Sequence, residues 1–514
     1  METETEREMF SRGKLILGVI ILVAVGYALM RPAPDAGDQF ESLRRRSVQR
    51  DTGALNQKAK NEIQRWNQNT LDGIGMPPPS DLAVSYIGDG DYWFVGKLRD
   101  GGGVEIPFAP GKMPRQPDEA SDKNDVESQS LGYVGPDVCK RCHEKTHASF
   151  MQTAHSQTSK FVDQMAMPGQ FEPPENRMST SDANLSIEMI QLEDDYFQRV
   201  RFYDWYVDVP MQLSFGSGNL ARTFGYWNDD RLYQHNVTHL TKSNRWINSP
   251  GFVDGDAAYA RPIPARCMDC HATFFEPTEE TKERSADEQA KWRSSGGGNE
   301  FDPHSLILGV SCERCHGPAA EHVAYHDRHP DATEPRHIVQ PAALPRQRQL
   351  EICGQCHAGS TDLRSEPFTY RPGDNLLDHY YPAPEGSDGG NSVHTSNQLS
   401  RLQVSECFLG SDMTCVACHN PHENQREQTK AYSASCLECH QQQGCHFVPP
   451  DGITLSDDCV SCHMPSRPTS DLRLQSVVGD VFPILKDHYI RIDQQATTEF
   501  LERHSGSNEA EKQP

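Results

Sequence analysis

Fourteen of the sixteen cysteines stand in pairs of the form Cys-x-x-Cys, and a histidine follows every pair directly. The seven runs are Cys139-Lys-Arg-Cys142-His143, Cys267-Met-Asp-Cys270-His271, Cys312-Glu-Arg-Cys315-His316, Cys353-Gly-Gln-Cys356-His357, Cys415-Val-Ala-Cys418-His419, Cys436-Leu-Glu-Cys439-His440 and Cys459-Val-Ser-Cys462-His463. Residues i, i+3 and i+4 share one face of a helical turn, so each run presents two thiols and an imidazole to one ligand. That donor set suits covalent haem: the sulfurs add to two vinyl groups while the imidazole reaches the iron. Zinc is the competing chemistry, because two knuckles close a tetrahedral site, but zinc places no demand on the next residue. Histidine fills 22 of 514 positions. Seven chance followers therefore have a probability below about one in a billion, although a single knuckle would be a weak signal. A disulfide framework also leaves the seven histidines unexplained. The reading is seven haem c groups, with His143, His271, His316, His357, His419, His440 and His463 as proximal ligands.

Fifteen histidines remain for the opposite faces. Three or four residues span at most about 11–14 Å, barely enough to round the edge of a porphyrin, so a histidine that close to a proximal ligand serves a neighbouring haem or none. His422, in Cys418-His419-Asn-Pro-His422, is such a case. His322 and His326 sit one turn apart after Cys315-His316-Gly-Pro, and His322 is the preferred candidate. His155 and His488 complete the distal candidates, with Asp487 placed to act on the His488 imidazole. His147, His235, His239, His379, His394 and His446 stay open, whereas His304, His329, His337 and His504 read as solvated. Met464 follows His463 too closely to reach its opposite face and reads as packing. Cys407 and Cys445 are left over, either as a disulfide clipping the loop that carries Cys415 to His440 or as separate buried thiols.

Thioether attachment takes place outside the cytoplasm, so the chain must be exported. Arg12 and Lys14 precede an apolar run from Leu15 to Met30, which is followed by Arg31 and a Pro-rich stretch. The run lies at the border between a signal segment and a spanning helix, which needs roughly 17 to 25 residues. An uncleaved anchor is preferred, with the N-terminus in the cytoplasm and the remainder facing the periplasm or extracytoplasmic space.

Composition alone points elsewhere. Only 36% of residues are hydrophobic and the net charge is -24, values that ordinarily accompany disorder. The acidic balance excludes nucleic acid and favours a redox partner with a basic docking patch. The missing apolar core is expected to be supplied by stacked macrocycles. The fold class is a multihaem cytochrome c: mainly short α-helices and loops wrapped around haems, with a small β-rich insertion.

Five segments follow: an anchor or signal at 1–33, an exported spacer or small β module at 34–130, the first haem with a β-rich region at 131–260, a dense six-haem region at 261–470, and a C-terminal segment at 471–514. A short helix at Leu55 to Trp66, a hairpin at Leu82 to Lys97, a polar linker at Pro117 to Ser130 and two or three strands over Leu185 to Val209 are predicted.

From Tyr133 onward the chain resembles the multihaem cytochromes c related to the tetrahaem electron acceptor of hydroxylamine oxidoreductase. The likeness rests on Tyr133-Val-Gly with Cys139 to His143 and Thr153-Ala-His155, on Gly216-Ser-Gly218, Trp246 and Ser249-Pro-Gly251, and on Ser311 to Ala319. It continues through Arg371-Pro-Gly-Asp374, Ser405-Glu-Cys407, Met413 to His422, Cys462 to Pro465 and Asp487-His488. The resemblance implies that histidines after the haem motifs ligate neighbouring haems. Residues 1 to 130 lie outside it, and seven motifs depart from four.

Two functions remain. The first is electron transfer through close-packed, mainly bis-His haems between a membrane donor and a redox partner. The second is an oxidoreductase acting on a small inorganic nitrogen or sulfur compound at a haem with an open sixth position. The Cys267 haem is the first candidate, since no histidine lies within 30 residues after His271.

Overall fold

The computed structural model describes residues 82–88, 91–96, 102–117, 132–276, 298–359, 362–382, 393–441, 455–469 and 472–505, with isolated positions 278, 288 and 445. The chain divides into two units, Met1–Ala54 and Leu55–Pro514, and every described residue belongs to the second. The apolar run Leu15 to Met30, the helix expected at Leu55 to Trp66, most of the Pro117 to Ser130 linker and His446 lie outside the described residues. Among the described residues no helix is long and apolar enough to cross a membrane.

The predicted hairpin is present as β1 (Ala83–Ile87) and β2 (Tyr92–Gly96), antiparallel with Ala83 opposite Gly96. A third strand, β3 (Gly103–Ile106), continues the meander. After two short helices at the first haem motif, α1 (Pro136–Lys140) and α2 (Glu144–Phe150), the chain enters strands again with β4 (Ser159–Phe161). One sheet has the order β5 (Arg177–Ser179), β6 (Leu185–Leu192), β7 (Asp195–Phe202), β8 (Trp205–Pro210). Another runs β13 (Arg245–Asn248), β12 (Val237–Leu240), β10 (Ala221–Asn228), β9 (Leu213–Phe215), β4, with β11 (Arg231–Gln234) also paired to β10. A short β14 (Ala257–Ala258) pairs in parallel with β3, which ties the first meander to this region.

These strands enclose the largest apolar core, in which Ile187, Val200, Val207, Phe224, Tyr226, Val237 and Tyr259 are almost wholly buried. Each such side chain contributes roughly 1.5–3 kcal/mol on removal from water. The sheets are therefore a folded body and not the small insertion expected from the sequence. Burial on both faces, as in β12 and most of β8, removes the apolar–polar alternation by which strands are recognised.

Beyond β14 the chain becomes helix and loop: α3 (Ala265–His271), α4 (Cys312–His316), α5 (Ala320–Arg328), α6 (Arg346–His357), α7 (Gln398–Gln403), α8 (Glu406–Leu409), α9 (Thr429–His440), α10 (Cys459–His463) and α11 (Gln494–Ser505). Two small ribbons interrupt it, β15 (Ala272–Phe274) with β16 (Ile307–Leu308) and β17 (Ser466–Pro468) with β18 (Ile484–Lys486). Apolar clusters here are small, such as Leu350, Leu399, Leu402 and Phe408, or Leu363, Tyr370, Leu376 and Tyr380.

Candidate haem-binding sites

Five of the seven motifs end a helix on the histidine itself: α3, α4, α6, α9 and α10. The other two are single turns in which the His143 and His419 amides each donate to the carbonyl of the first cysteine at 3.0 Å. In every case the i→i+4 geometry places thiols and imidazole on one side.

The x-x residues inside the motifs lock neighbouring motifs together. Asp269, from the second motif, is fully buried; it accepts a hydrogen bond from Arg314 of the third (Nη2 to Oδ1, 3.1 Å), from the Tyr380 hydroxyl at 2.5 Å and from the Phe368 amide at 3.3 Å. Arg314 also donates to the Asp269 carbonyl at 2.8 Å, and Gln355 of the fourth motif donates to the Arg314 carbonyl at 3.3 Å. Arg266 donates to the Gln355 carbonyl at 3.2 Å and to the Cys270 sulfur at 3.0 Å. Burial opposes charge on Arg266 and Arg314, but the anionic groups around them, Asp269 among them, hold both guanidiniums firmly protonated. Glu313 accepts the amides of Val134, Gly135 and Ala319 at 2.8–3.0 Å and so fixes the entry to the first motif. Burial pushes its carboxyl up, against the three amides. Nothing in the sequence pattern singled out these residues.

Thiols also meet across motifs. Cys139 lies beside Cys312, Cys270 beside Cys356 and Cys353 beside Cys415. The first and third motifs therefore abut, as do the second and fourth and the fourth and fifth. No disulfide joins Cys407 to exposed Cys445. Cys407 neighbours Cys418 and Cys436, whereas Cys445 neighbours Cys462. Zinc needs four donors together, and among the described residues no three of His, Cys, Asp or Glu gather as a metal group.

The imidazoles do pair. His316 faces His422 with ring centres 6.1 Å apart and planes at 14°. His419 faces His488 at 6.2 Å and 16°, and His155 faces His357 at 6.3 Å and 64°. Two metal–nitrogen bonds of roughly 2 Å, with about 1.1 Å from each nitrogen to its ring centre, require close to 6.3 Å between rings on opposite sides of one metal. The three separations thus fit an iron held between two imidazoles. In each pair one member belongs to a motif and the other to a distant segment.

Tautomers agree with this use. Nδ1 donates to a backbone carbonyl in His316 (Val339, 2.9 Å), His357 (Thr395, 2.6 Å), His463 (Arg491, 3.0 Å), His271 (Thr158, 3.3 Å) and His488 (Lys486, 3.4 Å). That leaves Nε2 with its lone pair, the usual arrangement of a metal-ligating histidine. Burial lowers His155 and His488 to about 4, which keeps both neutral. Asp487, which precedes His488, is clamped by Arg401 (2.8 and 2.9 Å) and Arg491 (2.8 Å); burial raises its carboxyl, but these partners bring it below the usual range.

His322 donates Nδ1 to the Arg336 carbonyl at 2.8 Å, and its ring lies 4.6 Å from His326 on the same helix. The His147 side chain is largely buried, with Nε2 3.9 Å from the Asp137 carboxylate and without a hydrogen bond. His235 lies deep in the β core, lowered to about 3 by burial, with Nε2 on the Pro210 carbonyl at 2.8 Å. His239 is held by Asn244 and packs on Trp246. His379 contacts Ser365 and Thr369, and His394 caps the turn at Ser396. His271 differs from the paired ligands: among the described residues its ring contact is the perpendicular Phe215 at 6.0 Å and not an imidazole.

No protein-family model matches the chain. Over 401 residues it is 20% identical to the dissimilatory sulfite reductase MccA of Wolinella succinogenes; the match takes in 65% of this chain and 50% of that protein. The chain thus spans about half the length of this curated relative. A crystal structure of the outer cell wall cytochrome OcwA aligns with a TM-score of 0.43 and 15% identity, over 72% of this chain and 82% of that one.

Proposed function

We propose that this chain is an exported, membrane-anchored heptahaem cytochrome that carries electrons between a membrane donor and a redox partner with a basic docking patch. The observation that carries the reading is the set of three imidazole pairs at 6.1–6.3 Å. Haem supplies reversible one-electron chemistry when bound. The chain's own residues hold it: a thiol pair and an imidazole from each motif, with His155, His422 and His488 on the opposite faces of the sites of His357, His316 and His419. His322, its Nδ1 held by the Arg336 carbonyl, offers Nε2 to a further site. Bis-imidazole ligation and an acidic surface both favour low potentials. The anchor at Leu15 to Met30 and the likeness to the acceptor cytochromes of hydroxylamine oxidoreductase belong to the same proposal. The test is a pyridine haemochrome assay on the purified holoprotein with intact-mass measurement. Seven haems per chain are expected, and four or fewer would refute the reading.

A second reading is favoured by one observation. Among the described residues Phe215, and no imidazole, is the ring that stands against His271, and the curated relative is named a dissimilatory sulfite reductase. An oxidoreductase reducing or oxidising a small sulfur or nitrogen compound would act at the Cys267–His271 site, where a sixth ligand from the chain would be lacking. Low-temperature EPR separates the readings. A high-spin ferric signal that shifts with sulfite or nitrite supports the enzyme, and an all-low-spin spectrum supports the carrier.

A further inference from the structure

In a chain with 73 acidic and 49 basic residues, three cations gather at one edge of the β body with no counter-ion among the described residues. Arg222, on β10, places Nη1 3.3 Å from the Ser214 hydroxyl and Nη2 3.4 Å from the Ser217 carbonyl. Arg426 comes from the segment after the fifth haem motif and donates to the Ser217 hydroxyl at 2.7 Å. The two guanidiniums therefore meet on one residue. Lys160, on β4, stands opposite Ser214 in the sheet register, on the same stretch as Arg222. The loop between β9 and β10 opens with Gly216-Ser217-Gly218, with both glycines at positive φ (94° and 77°). At φ 77° Gly218 adopts a conformation that favours glycine, and a Cβ there would fall 2.8–2.9 Å from the Arg222 guanidinium nitrogens, so the loop lies directly on that charge.

Among the described residues no carboxylate forms an ion pair with any of the three cations. Glu423 and Glu427 flank Arg426 in sequence, but neither is among the charges acting on it. All three groups are pushed below their ordinary basicity, first by partial burial, with Lys160 further lowered by Arg222 and Arg222 by Arg426. Unmatched like charges that are partly withdrawn from water are costly unless an anion joins them.

We propose that Lys160, Arg222, Arg426 and Ser217 form a binding site for a small oxyanion or carboxylate, at the seam between the β body and the fifth haem motif. Two forked guanidiniums and a hydroxyl offer several converging donors, the chemistry that recognises planar or tetrahedral oxygen anions. Two sources share this chemistry: a soluble oxyanion, or a propionate of a haem seated nearby. Arg426 lies four residues past His422, and Thr158, whose carbonyl accepts from His271, lies two residues before Lys160. The propionate source rests on the haem reading above, and the soluble source does not.

The test uses the holoprotein and its Arg222→Gln, Arg426→Gln and Ser217→Ala variants, with haem content and Soret spectrum as the check on folding. Sulfate is titrated calorimetrically at low ionic strength, and haem absorbance is followed potentiometrically. A soluble-anion site gives sulfate binding that weakens with added chloride and falls roughly tenfold or more in each Arg variant. A propionate site gives no sulfate binding, but lowers one midpoint potential in the Arg variants, because loss of the cation favours the ferric form. Sulfate binding unchanged across the variants, or neither sulfate binding nor a shifted potential, overturns the proposal. Should Arg222→Gln fail to fold, Arg426→Gln on its exposed segment and Ser217→Ala decide alone.

Discussion

Replacing Asp269 by Asn would test whether the interlocked motif residues hold the haem region together. The substitution keeps the shape of the side chain and the acceptor for Tyr380, but removes the only carboxylate that Arg314 contacts among the described residues. The Arg314 side chain is 2% exposed and cannot turn to water. Arg266, at 3.5 Å and 10% exposed, is held more loosely and has the Gln355 carbonyl as well. Stranding one buried cation of a pair costs 3–5 kcal/mol, and the retained bond to the Asp269 carbonyl places this case near the lower end, about 3 kcal/mol. The assay is guanidinium unfolding of the holoprotein, followed by tryptophan fluorescence and Soret absorbance at matched haem content. Because haem would stay covalently attached, the transition reports the fold and not cofactor loss. Adding Arg314→Met should recover part of the loss, with a coupling of at least about 1 kcal/mol, since the stranded charge is then gone. A cost under about 1 kcal/mol for Asp269→Asn, or strict additivity of the two changes, would refute the argument.

Further outcomes follow from the imidazole pairs. EPR of the oxidised holoprotein should contain low-spin signals from two nearly coplanar ligand pairs, His316 with His422 and His419 with His488, and one from the crossed pair His155 with His357; coplanar species alone would contradict the geometry. His488→Ala should add a high-spin ferric component and leave haem content unchanged, and a wholly low-spin spectrum would remove His488 as a ligand. Asp487 titrates below its ordinary value, so its contribution is present above about pH 4 and is lost as pH falls through its depressed value. The stability gap between wild type and Asp487→Asn should accordingly hold from about pH 7 to 5 and close below about 4. A gap that closes on raising the pH would reverse the sign and defeat the assignment.

What the sequence disclosed follows from what spacing can encode. The seven motifs are local, so their residues were legible, and the short reach from His419 to His422 showed that His422 must look elsewhere. Which iron each distant histidine faces depends on the fold, and no local pattern says that His155 meets His357. The Leu185 to Val209 strands were legible because they alternate, whereas β10 to β13 were not. Their hairpin turns avoid the usual glycine signals: Asp229 and Asn244 take positive φ of 58° and 48°, as Glu193 and Tyr203 do at 55° and 53° in the neighbouring sheet. The Asp269–Arg314–Gln355 junction was invisible for another reason: within a motif the x-x positions look like free choices until three motifs are brought together.

The three imidazole pairs also bear on how such a chain could be assembled. Each pair joins a motif to a segment remote in sequence, and two of the three partners, His422 and His488, come later in the chain than the motif they face. A chain threaded outward from its N-terminus would present Cys312 to His316 and Cys415 to His419 for attachment before those partners emerge. Coordination would then lag behind covalent capture, and the ring of His488, near the C-terminal end, would be the last of these to close. On the haem reading, the direction of the loops would thus set an order of maturation, with capture early and coordination late.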